Sequence, residues 1–87
     1  MNYSSNVPIA SIIILEILNT LFPKTKSIKN TDPLFSSGLL DSFAVVELIC
    51  ALEDKFNIAI DVNALEISQF DSVERIQNLV GKLKEND

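Results

Sequence analysis

Histidine and tryptophan are absent from the 87 residues, and cysteine occurs once, at Cys50. Without histidine there is no Ser-His or Cys-His pair to generate a nucleophile. A lone thiol also excludes an intramolecular disulfide and the usual structural zinc sites. Basic residues are scarce: 7 Lys and Arg stand against 12 Asp and Glu, a net charge of -5. Such a chain repels polyanions, which excludes nucleic acid and acidic membrane surfaces as partners and favours basic protein surfaces. Two glycines, three prolines and no repeat leave no linker to divide the chain. No apolar run is long enough for a membrane span of ~20 residues. The longest stretch, Val7 to Phe22, is broken by Ser11, Glu16, Asn19 and Thr20. The N-terminus carries no basic residue ahead of an apolar run and no small-residue cleavage site after one. No secretory signal is therefore expected, and a reducing, cytoplasmic setting suits a chain without a disulfide.

What is present is apolar content, 47% of the chain, enough for one small globular domain over residues 1–87 with its core at about 8–83. The charge is uneven. Residues 1–30 carry three lysines against Glu16, or +2, while residues 31–87 carry eleven acids against four bases, or -7.

A first helix is expected to begin between Ser4 and Pro8, with Ala10, Ile13, Ile14, Ile17 and Leu21 at helical spacing and Leu15, Leu18 and Phe22 widening the stripe. Pro23 ends it at Phe22, and Lys24 to Asp32 follow as loop. Leu34, Phe35, Leu39 and Leu40 then stand among Pro33, Ser36, Ser37 and Gly38, so this second stretch of loop must pack down onto the core. A second helix opens at Asp41-Ser42 and buries Val45, Leu48, Ile49, Leu52 and Phe56. Ser42 is its cap or first-turn residue, and Asp41 suits the positive end of the helix dipole. Glu47, Glu53 and Asp54, with Ala44 and Ala51 between, give this helix a smooth acidic side. Asp61 caps a short helix from Val62 to Ile67. A last helix opens at Asp71, where Asp71 and Glu74 have capping-box spacing, and buries Val73, Ile76, Leu79, Val80 and Leu83. The expected fold is all-α: a small bundle of three main helices plus one short one.

Few residues here could carry chemistry. Ser42 has no base to activate it, so any reaction at its hydroxyl must be performed by another protein; otherwise it only caps its helix. Cys50, beside the apolar face, is expected to be a buried or half-buried small hydrophobe without a role. The acids of the second helix ordinarily form a solvated face, and they are too few and scattered for a metal cage.

Gly38-Leu39-Leu40-Asp41-Ser42-Phe43, continuing through Val46-Glu47-Leu48 and Ala51-Leu52-Glu53-Asp54-Lys55-Phe56, resembles the phosphopantetheine attachment region of acyl carrier proteins. Asp32-Pro33-Leu34-Phe35 is similar to the family's approach loop, and Ile58 to Ile60, followed by the short helix and then Asp71-Ser72-Val73, resembles its third and fourth helices. The resemblance implies a non-enzymatic carrier whose Ser42, flanked by Asp41, is esterified by 4′-phosphopantetheine from coenzyme A. It implies acyl or aminoacyl cargo held as a thioester, for fatty-acid, polyketide or related biosynthesis.

The resemblance also implies a partner face of Phe43, Val46, Glu47, Glu53 and Asp54. Its partners are a phosphopantetheinyl transferase and the loading and transfer enzymes, which offer basic patches to a monomeric carrier. If cargo shelters within the bundle, it enters past Val46, Leu65 and Ile67. Phe43 replaces the family's usual leucine, Ala44 stands where many fatty-acid carriers have an acid, and Lys55 interrupts the acidic run. These departures point to a specialised stand-alone carrier. The wording Leu-Leu-Asp-Ser-Phe is also similar to D-alanyl carrier proteins, which hold an amino acid for transfer to cell-wall polymers. A helical interaction module without the arm is the reading from a different class.

Overall fold

The computed structural model describes residues 9–85. Three α-helices carry the fold: α1 (Ile9–Leu21), α2 (Ser42–Phe56) and α3 (Val73–Glu85). Single 3-10 turns stand at Pro23–Thr25, Val62–Ala64 and Ile67–Phe70, and no strand occurs among the described residues. The all-helical bundle expected from periodicity is present. The expected start of the first helix, between Ser4 and Pro8, lies outside the described residues.

Helix α1 packs against both α2 and α3. Ile14 and Leu18 from α1, Leu48 and Leu52 from α2, and Val73 and Ile76 from α3 meet in the core with Leu34 and Phe70, all fully buried. Burying one such side chain contributes about 1.5–3 kcal/mol relative to leaving it in water. The buried line of α1 runs through Ser11, Ile14 and Leu18, so Ile12 faces outward and Ala10, Ile13 and Ile17 lie half-buried at its edges. Pro23 ends α1 as expected: Leu21 is its last residue, and Phe22 is extended at φ -131°. The chain then turns through Pro23–Thr25, where the buried Thr25 hydroxyl lies 3.0 Å from Asn19 Oδ1 and 2.8 Å from the Phe22 carbonyl.

Two expected boundaries change. The short helix from Val62 to Ile67 is instead two 3-10 turns separated by Leu65 and Glu66. Asp61 does cap the first, accepting from the Asn63 amide at 2.9 Å. Glu66 and Gln69 close a capping box around the second. Helix α3 starts at Val73 rather than Asp71, because the Ser72 hydroxyl accepts from the Arg75 amide at 3.1 Å and acts as the cap. The Asp71–Glu74 box is therefore not formed. Val73 is fully buried. Holding it in the core as the first helical residue puts Ser72, not Asp71, at the capping position.

Candidate functional site

The loop from Asn30 to Asp41 is tied to the start of α3 before it delivers the chain to α2. Glu74 N–H donates to the Asn30 carbonyl at 3.0 Å, and Leu34 N–H donates to the Asp71 carbonyl at 2.8 Å. The Asp71 carboxylate takes three further bonds. Its Oδ1 accepts from the amides of Phe35 at 2.7 Å and Ser36 at 2.9 Å, and its Oδ2 from the Ser36 hydroxyl at 2.6 Å. Half-burial of Asp71 acts to raise its pKa. The Ser36 hydroxyl and the Ser36 and Phe35 amides outweigh it and hold the carboxyl below its ordinary value. Gly38 then turns the chain at φ +84°, a left-handed conformation that a side chain would strain. Leu40 N–H returns to the Leu34 carbonyl at 2.8 Å, with both leucines buried.

Asp41 follows directly, and it is the cap of α2. Its Oδ1 accepts from Phe43 N–H at 3.0 Å and Ala44 N–H at 3.1 Å. Ser42 is thus the first helical residue and not the cap. Its side chain is exposed, and its hydroxyl has no partner among the described residues. A cavity of about 530 Å³ opens beside it, walled on one side by Phe35, Ser36, Gly38 and Leu40 and on the other by Ile67, Ser68 and Asp71.

The outward face of α2 below Ser42 is more apolar than its acids suggest. Phe43 is 82% exposed and Val46 63% exposed, with Val62 and Ile67 also bare. Glu47 and Asp54 are exposed along the same helix, whereas Ala44 turns into the core. Glu53 is half-buried, and its Oε2 accepts from the Ile60 amide at 2.8 Å. That bond holds the link after α2, where Asn57 adopts a left-handed conformation at φ 56°. Cys50 is exposed, contrary to the expectation of a buried or half-buried small hydrophobe. The helical line between Glu47 and Asp54 that carries it faces outward. Val46, Leu65 and Ile67 do border one groove of about 190 Å³, over Ile49 and Phe70.

With this geometry in place, comparison with known families is decisive. The family described as "Phosphopantetheine attachment site" matches residues 12–80, from within α1 into α3. The chain belongs to this carrier family. Its curated relatives include the D-alanyl carrier protein of Leuconostoc mesenteroides, 39% identical over 72 residues that cover 78% of this chain and 92% of the relative. The D-alanyl carrier protein of Leuconostoc citreum is 36% identical over the same shares of both chains. That of Bacillus velezensis is 31% identical, covering 82% of this chain and 92% of the relative.

Membership of the carrier family brings a covalently attached 4′-phosphopantetheine, and the start of α2 fits the group. The fit rests on an exposed, unpartnered hydroxyl at the positive end of a helix, beside a cavity lined by Phe35, Leu40, Ile67 and the hydroxyl-bearing Ser36 and Ser68. Because the first free amides of α2 are committed to Asp41, a phosphodiester here is favoured by the dipole rather than by those two N–H groups. No group of three or more metal-ligating side chains occurs among the described residues, and no described helix is long and apolar enough to cross a membrane.

Sequence reasoning missed Asp71, which it assigned to a capping box. The available signal was Ser72: with a good capping residue immediately after it, Asp71 is not needed as a cap.

Proposed function

We propose that residue Ser42 is the phosphopantetheine attachment site of a non-enzymatic aminoacyl carrier, and that its cargo is D-alanine. The observation supporting the site is the division of roles at the start of α2. Asp41 satisfies the amides of Phe43 and Ala44, so Ser42 has no structural duty and offers its hydroxyl to solvent. Attachment is a displacement at phosphorus carried out by a transferase. The Ser42 Oγ attacks the phosphate of coenzyme A that bears pantetheine, adenosine 3′,5′-bisphosphate leaves, and the hydroxyl proton passes to a base of the transferase, since this chain has no histidine.

Once bound, the arm supplies a terminal thiol that carries a carboxylic acid as a thioester. This chain's own residues orient and present it. The shared hydrophobic core of the three helices supports reading residues 1–87 as one carrier domain with its core at about 8–83. Phe43 and Val46 offer apolar contact beside Ser42, with Glu47 and Asp54 supplying negative charge to basic patches on partner enzymes. Glu53, already bonded to Ile60, serves that face less directly. The relatives named D-alanyl carrier protein favour an amino acid over the fatty-acyl or polyketide cargo of other carriers. The need of such a carrier for coenzyme A and ATP-dependent partner enzymes supports reading it as a cytoplasmic monomer.

The test is intact-mass analysis after incubation with coenzyme A and a broad-specificity phosphopantetheinyl transferase. Wild type gains one phosphopantetheine and Ser42→Ala gains none. The modified protein is then offered to an ATP-dependent D-alanine ligase and to a malonyl transferase. Loading by the first supports D-alanine, and loading only by the second overturns that cargo.

A further inference from the structure

The residue that ties together both walls of the cavity beside Ser42 is 29 positions away in sequence. We infer that Asp71 is a positioning residue for modification of Ser42, holding the approach loop so that the start of α2 is presented in one geometry. This rests on the reading of Ser42 as the attachment site.

A continuous line of bonds runs from Asp71 to the start of α2. Asp71 lies between the 3-10 turn Ile67–Phe70 and α3, and its own amide is held by the Ser68 carbonyl at 3.3 Å. From that anchored position it holds the opposite wall at four points: Leu34 through its carbonyl, and Phe35 and the amide and hydroxyl of Ser36 through its carboxylate. Leu34 passes the constraint onward, because its carbonyl accepts from the Leu40 amide. Leu40 is the residue before Asp41, whose carboxylate caps the first turn of α2. Ile67 and Ser68 on one wall and Phe35, Ser36, Gly38 and Leu40 on the other face the cavity that Ser42 borders. Asp71 therefore joins the two walls: its carboxylate holds Phe35 and Ser36, and its backbone carbonyl holds Leu34, which in turn fixes Leu40, the last buried residue before the cap.

An ionised carboxylate suits this place. Three donors from one short segment converge on two oxygens, and hydrogen bonds to a charged acceptor are shorter and about twice as strong as neutral ones. The Ser36 hydroxyl distance of 2.6 Å lies in that class. Residues on the face of α2, Phe43, Val46 and Glu47, make none of these bonds. Loss of the Asp71 carboxylate thus leaves Val46 and Glu47 in place and loosens the loop ahead of α2 at Phe35 and Ser36.

This separation gives the experiment its two readouts. Modification kinetics with coenzyme A and a broad-specificity transferase are measured for wild type, Asp71→Ala, Asp71→Asn and Ser42→Ala, beside amide hydrogen exchange of each. Asp71→Ala is expected to lower kcat about tenfold with KM within twofold of wild type. The Phe35 and Ser36 amides exchange faster while those of Leu48, Leu52 and Ile76 stay protected. Asp71→Asn keeps an oxygen for the two amides and recovers most of the rate. A wild-type kcat in Asp71→Ala overturns the inference, as does a defect confined to KM. A rate loss in both variants that tracks lost protection throughout α2 and α3 also overturns it, since that is general unfolding. If Asp71→Ala does not fold, Ser36→Ala removes the hydroxyl bond alone and is expected to lower kcat two- to threefold; an unchanged kcat there overturns the inference. Absence of modification in wild type, or its persistence in Ser42→Ala, strikes the assignment of Ser42. In that event unchanged exchange at Phe35 and Ser36 in Asp71→Ala refutes the hold on the loop itself.

Discussion

The dipeptide Asp-Ser occurs twice, at 41–42 before α2 and at 71–72 before α3, and relative to it α3 begins one residue later than α2. At α2 the aspartate caps and the serine is left exposed as the first helical residue. At α3 the serine caps and is itself buried, which leaves the aspartate to hold the approach loop. The hydrophobic register sets the difference. Val73 must enter the core as the first residue of α3, whereas the first residue of α2 to turn inward is Ala44, two positions after Ser42. Two residues at the start of α2, Ser42 and Phe43, consequently face water. The motif alone does not say which Asp-Ser is a site; the position of the next buried side chain does. Ser72, buried and bonded, is not available to a modifying enzyme.

The sharpest way to test the contrast is to make the same change at both aspartates. Asp41→Ser replaces one good cap by another and is expected to change stability by less than ~0.5 kcal/mol. Asp71→Ser shortens the side chain and offers one oxygen where three donors converge, so it is expected to cost ~1–3 kcal/mol. Urea unfolding followed by circular dichroism measures both. Equal costs at the two sites would show that cap and loop-holding aspartates are not distinct.

The helices were legible in sequence because burial repeats at helical spacing. Leu48, Ile49 and Leu52, or Val73, Ile76 and Val80, mark the inward faces correctly. The packed loop was legible for a similar reason, since Leu34 and Leu40 are large apolar residues with nowhere else to go. Ser42 stood out through its surrounding motif. What could not be read is whatever depends on a one-residue shift or on bonds between distant segments. Whether Asp41 or Ser42 caps is decided by backbone register, and Asp71 finds Phe35 and Ser36 only once α3 has folded against the loop. Glu53 was grouped with Glu47 and Asp54 by spacing on the helix. Its bond to Ile60 depends on how the chain leaves α2. Cys50 was misjudged because it borders the apolar face in projection, while the packed helix presents that line to solvent.

Acidification sharpens the comparison with a smaller effect. A carboxyl whose folded pKa is lowered contributes stability that is present above its unfolded pKa and is lost as pH falls through the folded value. The hydrogen bonds to Asp71 lower its pKa, so its contribution is complete at neutral pH and fades below about pH 4. Asp71→Asn removes this source of pH dependence. Wild type is expected to lose more stability than Asp71→Asn between pH 5 and pH 2.5, measured by urea midpoints at each pH. The two proteins should converge at the acid end. Parallel curves would mean that the loop does not depend on an ionised Asp71.

The smallest effect separates the outward charges of α2 from the engaged ones. Glu47 is exposed and has no ion-pair or hydrogen-bond partner among the described residues, while Glu53 is bonded to the Ile60 amide. An exposed charge acts on encounter with a partner, through a field that salt screens over ~8–10 Å at physiological strength. Glu47→Lys is therefore expected to slow modification or loading a few-fold at low salt and less as salt rises, with stability unchanged. Glu53→Gln keeps an oxygen for Ile60 and should show little salt dependence. Stopped-flow or initial-rate measurements across a salt series distinguish these outcomes. If the Glu47→Lys defect is the same at every ionic strength, the residue acts through a local contact, and α2 would then owe its partner selection to the bare Phe43 and Val46 rather than to charge.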